Sequence, residues 1–285
     1  MVTLKDRRPS ASADPTAIRG LLTEDDKAFY ARNGYLVVPK AISRELATEL
    51  GEAMRAYVKA TADARGGAGP GRLNGVVHMY HHPVQWAVRQ SPGIYEAFAH
   101  LWGDRHLWVS IDRGKVTPPV GDGGPLQRGF IHWDINSLAP PDPIPLQGLI
   151  ALADTRPGQG GFQCVPGFPA RFAQWAATQP PDRHPYLPDL TGLEVVSVPM
   201  EAGDLLIWNA LLPHGNEENR SHAPRLVQFI RMYPCRLYDE AVREKRLAMW
   251  REKLPRDPGL TSALDWPDPM LSELGERLLG LRSWT

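Results

Sequence analysis

From His106 to Pro234 the chain is a succession of short β-branched or apolar runs separated by Gly, Pro, Asp and Asn. The clearest are Leu107 to Asp112, Phe130 to Ile135, Gln147 to Ala153, Phe162 to Val165, Glu194 to Val198, Asp204 to Trp208 and Arg225 to Met232. Runs of this length, punctuated by turn residues, specify an antiparallel barrel or sandwich. The flanks read as helical. Thr23 followed by Glu24, Asp25 and Asp26 is an N-cap with an acidic first turn, and Asn33-Gly34 ends that helix before a short strand at Tyr35 to Val38. Ser43 caps a second amphipathic helix to about Ala60, Ser91 a third over Pro92 to Trp102, and Leu237 to Leu254 forms a solvated helix on the β region. The expectation is a mainly β fold with flanking helices.

No linker divides the chain, so a single domain over 1–285 is expected, with 1–20 a flexible tail, Gly66 to Gly71 a loop and 237–285 a C-terminal helical extension. Lysine plus arginine equals aspartate plus glutamate at 32 each, which supplies no net field to recruit nucleic acid or an anionic membrane. No apolar run approaches the roughly 20 residues that span a bilayer. Cys164 and Cys235 are too few for a disulfide framework or a thiolate zinc site, which fits a reducing, cytoplasmic setting. A small-molecule partner, and a monomer or homodimer, are expected.

The chemistry centres on His132-Trp133-Asp134. Residues at i and i+2 of a strand point to the same side, so the imidazole and the carboxylate face one point. Pro213-His214-Gly215-Asn216 supplies a third ligand from another strand. Two imidazole nitrogens and one carboxylate on one face leave positions open for oxygen and a co-substrate, the arrangement of non-haem iron(II) oxygenases. A 2-oxoglutarate bound to such an iron has a distal carboxylate that needs a fixed cation, and arginine's planar fork suits it. Arg225 begins a strand eleven residues after His214 and shares a strand face with Val227 and Phe229.

These residues resemble the phytanoyl-CoA dioxygenase family over roughly residues 28 to 234: His-x-Asp, then Gly160, Gly161, Pro166 and Gly167, then Gly203-Asp204, then His214, Gly215, Asn219 and Arg225. The resemblance implies a double-stranded β-helix of jelly-roll, cupin-like form, and an enzyme that binds iron(II) and consumes oxygen and 2-oxoglutarate to give succinate, carbon dioxide and usually a hydroxylated product. It implies His132, Asp134 and His214 as metal ligands, Arg225 as the anchor of the co-substrate, and Asn216 as a second contact to it. Family members that halogenate carry a small residue in place of the carboxylate, so Asp134 points to hydroxylation or a related oxidation. Leu107-Trp-Val-Ser-Ile-Asp-Arg113 and Leu278-Leu-Gly-Leu are closer to the small-molecule members than to the fatty acyl-CoA enzyme.

Strand position nominates Tyr80, Arg113, Asn136, Gln147, Gln163 and Trp208 as the substrate pocket, with an inward Arg113 suiting an anionic group. The compact run His78, Tyr80, His81, His82 lacks metal-ligand spacing and reads as loop or pocket wall. Trp133, Trp175, Trp208 and Trp250 read as packing, Cys164 as a small hydrophobe, and Asp154-Thr155 and Gly203-Asp204 as turns. Two other classes fit the same scaffold: a co-substrate-independent cupin-type metalloenzyme, which Arg225 disfavours, and a catalytically silent binding module, which the complete ligand set disfavours.

Overall fold

In the computed structural model, which describes residues 22–63, 75–121, 130–255 and 266–284, Thr23 caps α1 (Glu24–Asn33) through a reciprocal capping box with Asp26. Gly34 closes that helix with φ 77°, a left-handed turn that glycine adopts without strain, and β1 (Tyr35–Val38) follows. The expected tail over 1–20 and the loop Gly66 to Gly71 lie outside the described residues. The Ser43 hydroxyl accepts from the Leu46 amide at the start of α2 (Arg44–Asp63). After β2 (Val76–Val77) come α3 (Pro83–Arg89), capped by His82, and α4 (Pro92–Trp102), ended by a left-handed Gly103.

The β region comprises β3 (Leu107–Val109), β4 (Gly114–Thr117), β5 (Leu146–Ala151), β6 (Phe162–Cys164), then α5 (Phe168–Ala177), and β7 (Val196–Val198), β8 (Leu205–Asn209), β9 (His214–Asn216), β10 (Arg225–Ile230) and β11 (Met232–Pro234). Helices α6 (Glu240–Arg251) and α7 (Glu273–Leu279) complete the order. Three antiparallel sheets result: a six-stranded sheet β1-β8-β5-β10-β4-β2, a three-stranded sheet β7-β6-β9 and a two-stranded pair β11-β3. Among the described residues these do not close into the single barrel expected. Pairing beyond β9 runs down to one isolated bridge between His132 and His214, so the segment Phe130 to Ile135, expected as a strand, contributes a bridge at His132 and a bend at Asp134.

Alternation in the large sheet sends its two faces to two cores. On one face Leu205, Ile207, Ile150, Leu226 and Ile230 pack with Leu50, Met54, Trp86 and Phe98 from the helices. On the other, Tyr35, Leu149, Ala151, Leu206, Trp208 and Val227 pack with Phe162, Cys164 and Val198 of the three-stranded sheet. Cover on both faces explains why all six residues of β5 are buried. Each fully buried leucine or isoleucine contributes about 1.5–3 kcal/mol relative to exposure, so neither face tolerates a slip in register. Helix α5 interrupts the β region: Phe168, Phe172 and Trp175, spaced for one helical face, pack on Trp133. No described helix is long and apolar enough to cross a membrane.

The C-terminal helices are docked by a buried charge. Arg246, 7% exposed, donates to the carbonyls of Val109, Leu278 and Leu279 and to the Tyr233 hydroxyl. Replacing Arg246 by Met should therefore lower the unfolding free energy by about 1–3 kcal/mol, the usual cost of stripping donors from buried carbonyls. Chemical denaturation measures this, and an unchanged midpoint would remove Arg246 from the account of docking.

Candidate metal centre

His132 and His214 face each other across an antiparallel bridge, each amide donating to the other's carbonyl at 2.9 and 3.0 Å. Two chains come this close because of Gly215. A Cβ there would stand 2.0 Å from the Phe130 carbonyl oxygen. On its other edge β9 pairs with β6, placing His214 opposite Cys164 and Asn216 opposite Phe162. Since Phe162 and Cys164 face the core between the sheets, so do His214 and Asn216.

Asp134 completes the group from its bend, Oδ1 3.3 Å from His132 Nε2 and Oδ2 3.6 Å from His214 Nε2. One ligand atom from each of the three lies within 4.8 Å of the others. Their side-chain exposures are graded, 6% for His214, 26% for His132 and 50% for Asp134, so the group opens to solvent on the aspartate side. His214 Nδ1 sits 2.9 Å from the Leu212 carbonyl. A carbonyl only accepts, so Nδ1 carries the hydrogen and the Nε2 lone pair is left for a metal. Phe162 stacks on the His214 ring at 5.6 Å and Trp208 leans on it at 5.0 Å. Burial raises the Asp134 carboxyl, but the adjacent His132 and His214 rings and the Gln147 amide outweigh it and hold the group well below the ordinary carboxylate range. An ionised carboxylate beside two imidazole nitrogens fits a divalent cation.

Beside this group lies a buried guanidinium. Arg225, 3% exposed, gives one hydrogen bond from Nη1 to Asn216 Oδ1 at 2.7 Å, while its Nε and Nη2 have no partner among the described residues. Burial pulls it down to about 10, with Glu217 opposing, so it stays charged at neutral pH. Buried unsatisfied donors on a charged fork cost free energy unless a ligand meets them, and a carboxylate has the matching shape. Thr117, opposite Arg225 in the sheet register, also has a buried hydroxyl without a partner among the described residues. Lys115 and Arg113 share that face. Burial lowers Lys115, and the charges of Arg225 and Arg113 act in the same direction.

The remaining expected residues separate. Gln147 and Trp208 face the centre, Gln147 donating to Asp134 and accepting from Trp208. Arg113 lies beside Phe229, on the Arg225 face. Three lie elsewhere. Tyr80 is buried in the helix-side core with its hydroxyl against His78. Asn136 is exposed and accepts from the Leu138 amide in a turn. Gln163 lies between the inward Phe162 and Cys164, hence on the outer face, where it donates to the Asn216 carbonyl. His81 and His82 are tied to the Leu254 carbonyl and the Val84 amide. Thr117 and Lys115 were not anticipated, because Gly114–Thr117 is too short and too polar to read as a core strand.

Two histidines and one carboxylate, one carried by β9 and two by the segment bridged to it, form a group that could hold a divalent metal ion, the donor set that non-haem oxygenases use. The family description that matches residues 30–227 is phytanoyl-CoA dioxygenase, and the chain belongs to that family. A Dictyostelium discoideum protein with a provisional phytanoyl-CoA dioxygenase name is 24% identical over 234 residues, covering 68% of this chain and 64% of its own length. The chain thus spans slightly under two thirds of that relative. Among solved structures, a hypothetical protein JW0805 from Escherichia coli superposes with TM-score 0.67 at 20% identity, covering 91% of this chain and 82% of its own. The epimerase SnoN in complex with Fe3+, α-ketoglutarate and nogalamycin RO gives TM-score 0.54 at 18% identity, covering 92% and 98%.

Gly215 is the steric hinge of the centre. Gly215→Ala should push Phe130 away, open the His132–His214 bridge and weaken Co(II) binding by about 10- to 100-fold, the scale on which disturbed metal-site support is felt. Anaerobic titration of the purified chain reads the loss; unaltered affinity would show that the close approach does not shape the site.

Proposed function

We propose that this chain is an iron(II)- and 2-oxoglutarate-dependent oxygenase that oxidises an unactivated carbon of a small molecule, most simply by hydroxylation, with release of succinate and carbon dioxide. The observation that carries the reading is Arg225, a buried cation beside the His132, Asp134 and His214 group with two donors that have no partner among the described residues. In this reading the facing sheets are the two halves of a double-stranded β-helix, within one domain that includes the helices docked by Arg246.

His132, Asp134 and His214 would hold the iron, and Arg225 with Asn216 would hold the distal carboxylate of 2-oxoglutarate. When bound, iron with oxygen and 2-oxoglutarate supplies the oxidising power that turns R–H into R–OH as the oxo acid becomes succinate and carbon dioxide. The chain's own part is arrangement. Leu212 fixes the His214 tautomer, Phe162 and Trp208 hold its ring, and the inter-sheet core keeps water from the Arg225 side. Lys115 and Arg113 add positive field on the same face, which favours a dianionic co-substrate. Solved relatives of this fold include proteins named as a carbocyclase and an epimerase, so the oxidation's outcome depends on how each pocket seats its own substrate.

Anaerobic addition of iron(II) and then 2-oxoglutarate should produce a weak visible charge-transfer band, and admitting oxygen with substrate should release succinate. Arg225→Ala should weaken 2-oxoglutarate binding by about 2–5 kcal/mol, as expected when one partner of a buried charge pair is truncated. Asp134→Ala should abolish turnover. Iron binding with no band and no succinate would favour the co-substrate-independent metalloenzyme instead.

A further inference from the structure

Asp134 lies in a bend, outside every strand ladder, with half of its side chain in solvent. Backbone pairing therefore does not fix its carboxylate. A two-residue relay does. Trp208 Nε1 donates to Gln147 Oε1 at 3.0 Å, and Gln147 Nε2 donates to Asp134 Oδ2 at 2.6 Å. An indole N–H is a donor only, so it dictates which end of the Gln147 amide faces it and delivers the NH2 to Asp134. The two residues are cross-strand partners in the large sheet, Gln147 on β5 opposite Trp208 on β8, and both are buried, at 7% and 3% exposed. Their geometry is set by the sheet register, which the rest of the core enforces.

We propose that Gln147, oriented by Trp208, is a positioning residue that fixes the Asp134 carboxylate for the metal and occupies Oδ2, leaving Oδ1 as the coordinating oxygen. Single-oxygen coordination keeps a further position on the metal open for a co-substrate that binds through two oxygens. The relay deepens the metal reading above and depends on it. It also gives Gln147 and Trp208 a role other than lining the substrate pocket.

The test uses the full-length chain stripped of metal, with Co(II) as the probe and its visible d–d absorption as the readout of affinity and coordination number. Gln147→Met keeps the volume and removes the donor, and should weaken Co(II) by about 10- to 100-fold with an altered band intensity. Trp208→Phe should weaken it less. The double variant should match Gln147→Met alone, because phenylalanine keeps an aromatic ring against His214 and the hydrogen bond that is lost acts through Gln147. Circular dichroism of each apo variant confirms the fold, and Gln147→Asn, which withdraws the amide by one methylene, carries the same test if the Met variant does not fold. A Gln147 variant that binds Co(II) with wild-type affinity and spectrum overturns the proposal, as do losses that multiply in the double variant. If the wild-type chain itself binds no Co(II), the metal reading fails and the relay with it, whereas wild-type binding beside an unaffected Gln147 variant removes the relay alone.

Discussion

Everything at the centre depends on one reciprocal pair of hydrogen bonds, the amides and carbonyls of His132 and His214 exchanged at 2.9 and 3.0 Å. The segment around His132 belongs to no strand. Without that pair nothing in the ladders would hold it against the three-stranded sheet. The bridge brings one histidine from an irregular segment to one from a strand, and Gly215 gives up its side chain so the two backbones can meet. Asp134 then follows two residues on. The placement of the group is inherited from β9, whose pairing with β6 is itself locked by the packing of Phe162 and Cys164.

The interior between the sheets is asymmetric. Toward β1, β8 and β5 it is apolar, filled by Tyr35, Leu206 and Leu149. Toward β10 and β4 the same face carries Arg225, Lys115 and Thr117. A sheet that is hydrophobic at one side and cationic at the other is not built for stability alone, since each buried cation opposes folding. In the proposed reading a bound carboxylate offsets that cost.

Much of the centre was legible in the sequence, and the reasons are specific. His132, Asp134, His214 and Arg225 fall at spacings that chain geometry reads directly, two residues apart or at the two ends of one turn, whereas Asn216 came from the family resemblance. The inward direction of Gln147 and Trp208 followed from alternation, though alternation says which face a side chain takes and not what it touches. Gln163 failed for the same reason in reverse, as a one-residue error in register moves a side chain to the other face. Asn136 and Tyr80 were lost to turn chemistry and to the helix-side core. Strand β4 was missed because its inward residues are polar, the reverse of the pattern that marks a buried strand. Helix α5 was legible only in hindsight, through Phe168, Phe172 and Trp175 on the side that meets Trp133.

The graded exposure of the three ligands implies an order of events. If the group holds a metal as proposed, an ion approaching from water would meet the half-exposed carboxylate of Asp134 first and reach the partly covered His132 before the enclosed His214. Departure would run the other way, with the bond at the surface the last to break. Capture and loss of an ion would thus both pass through a single solvent-facing carboxylate.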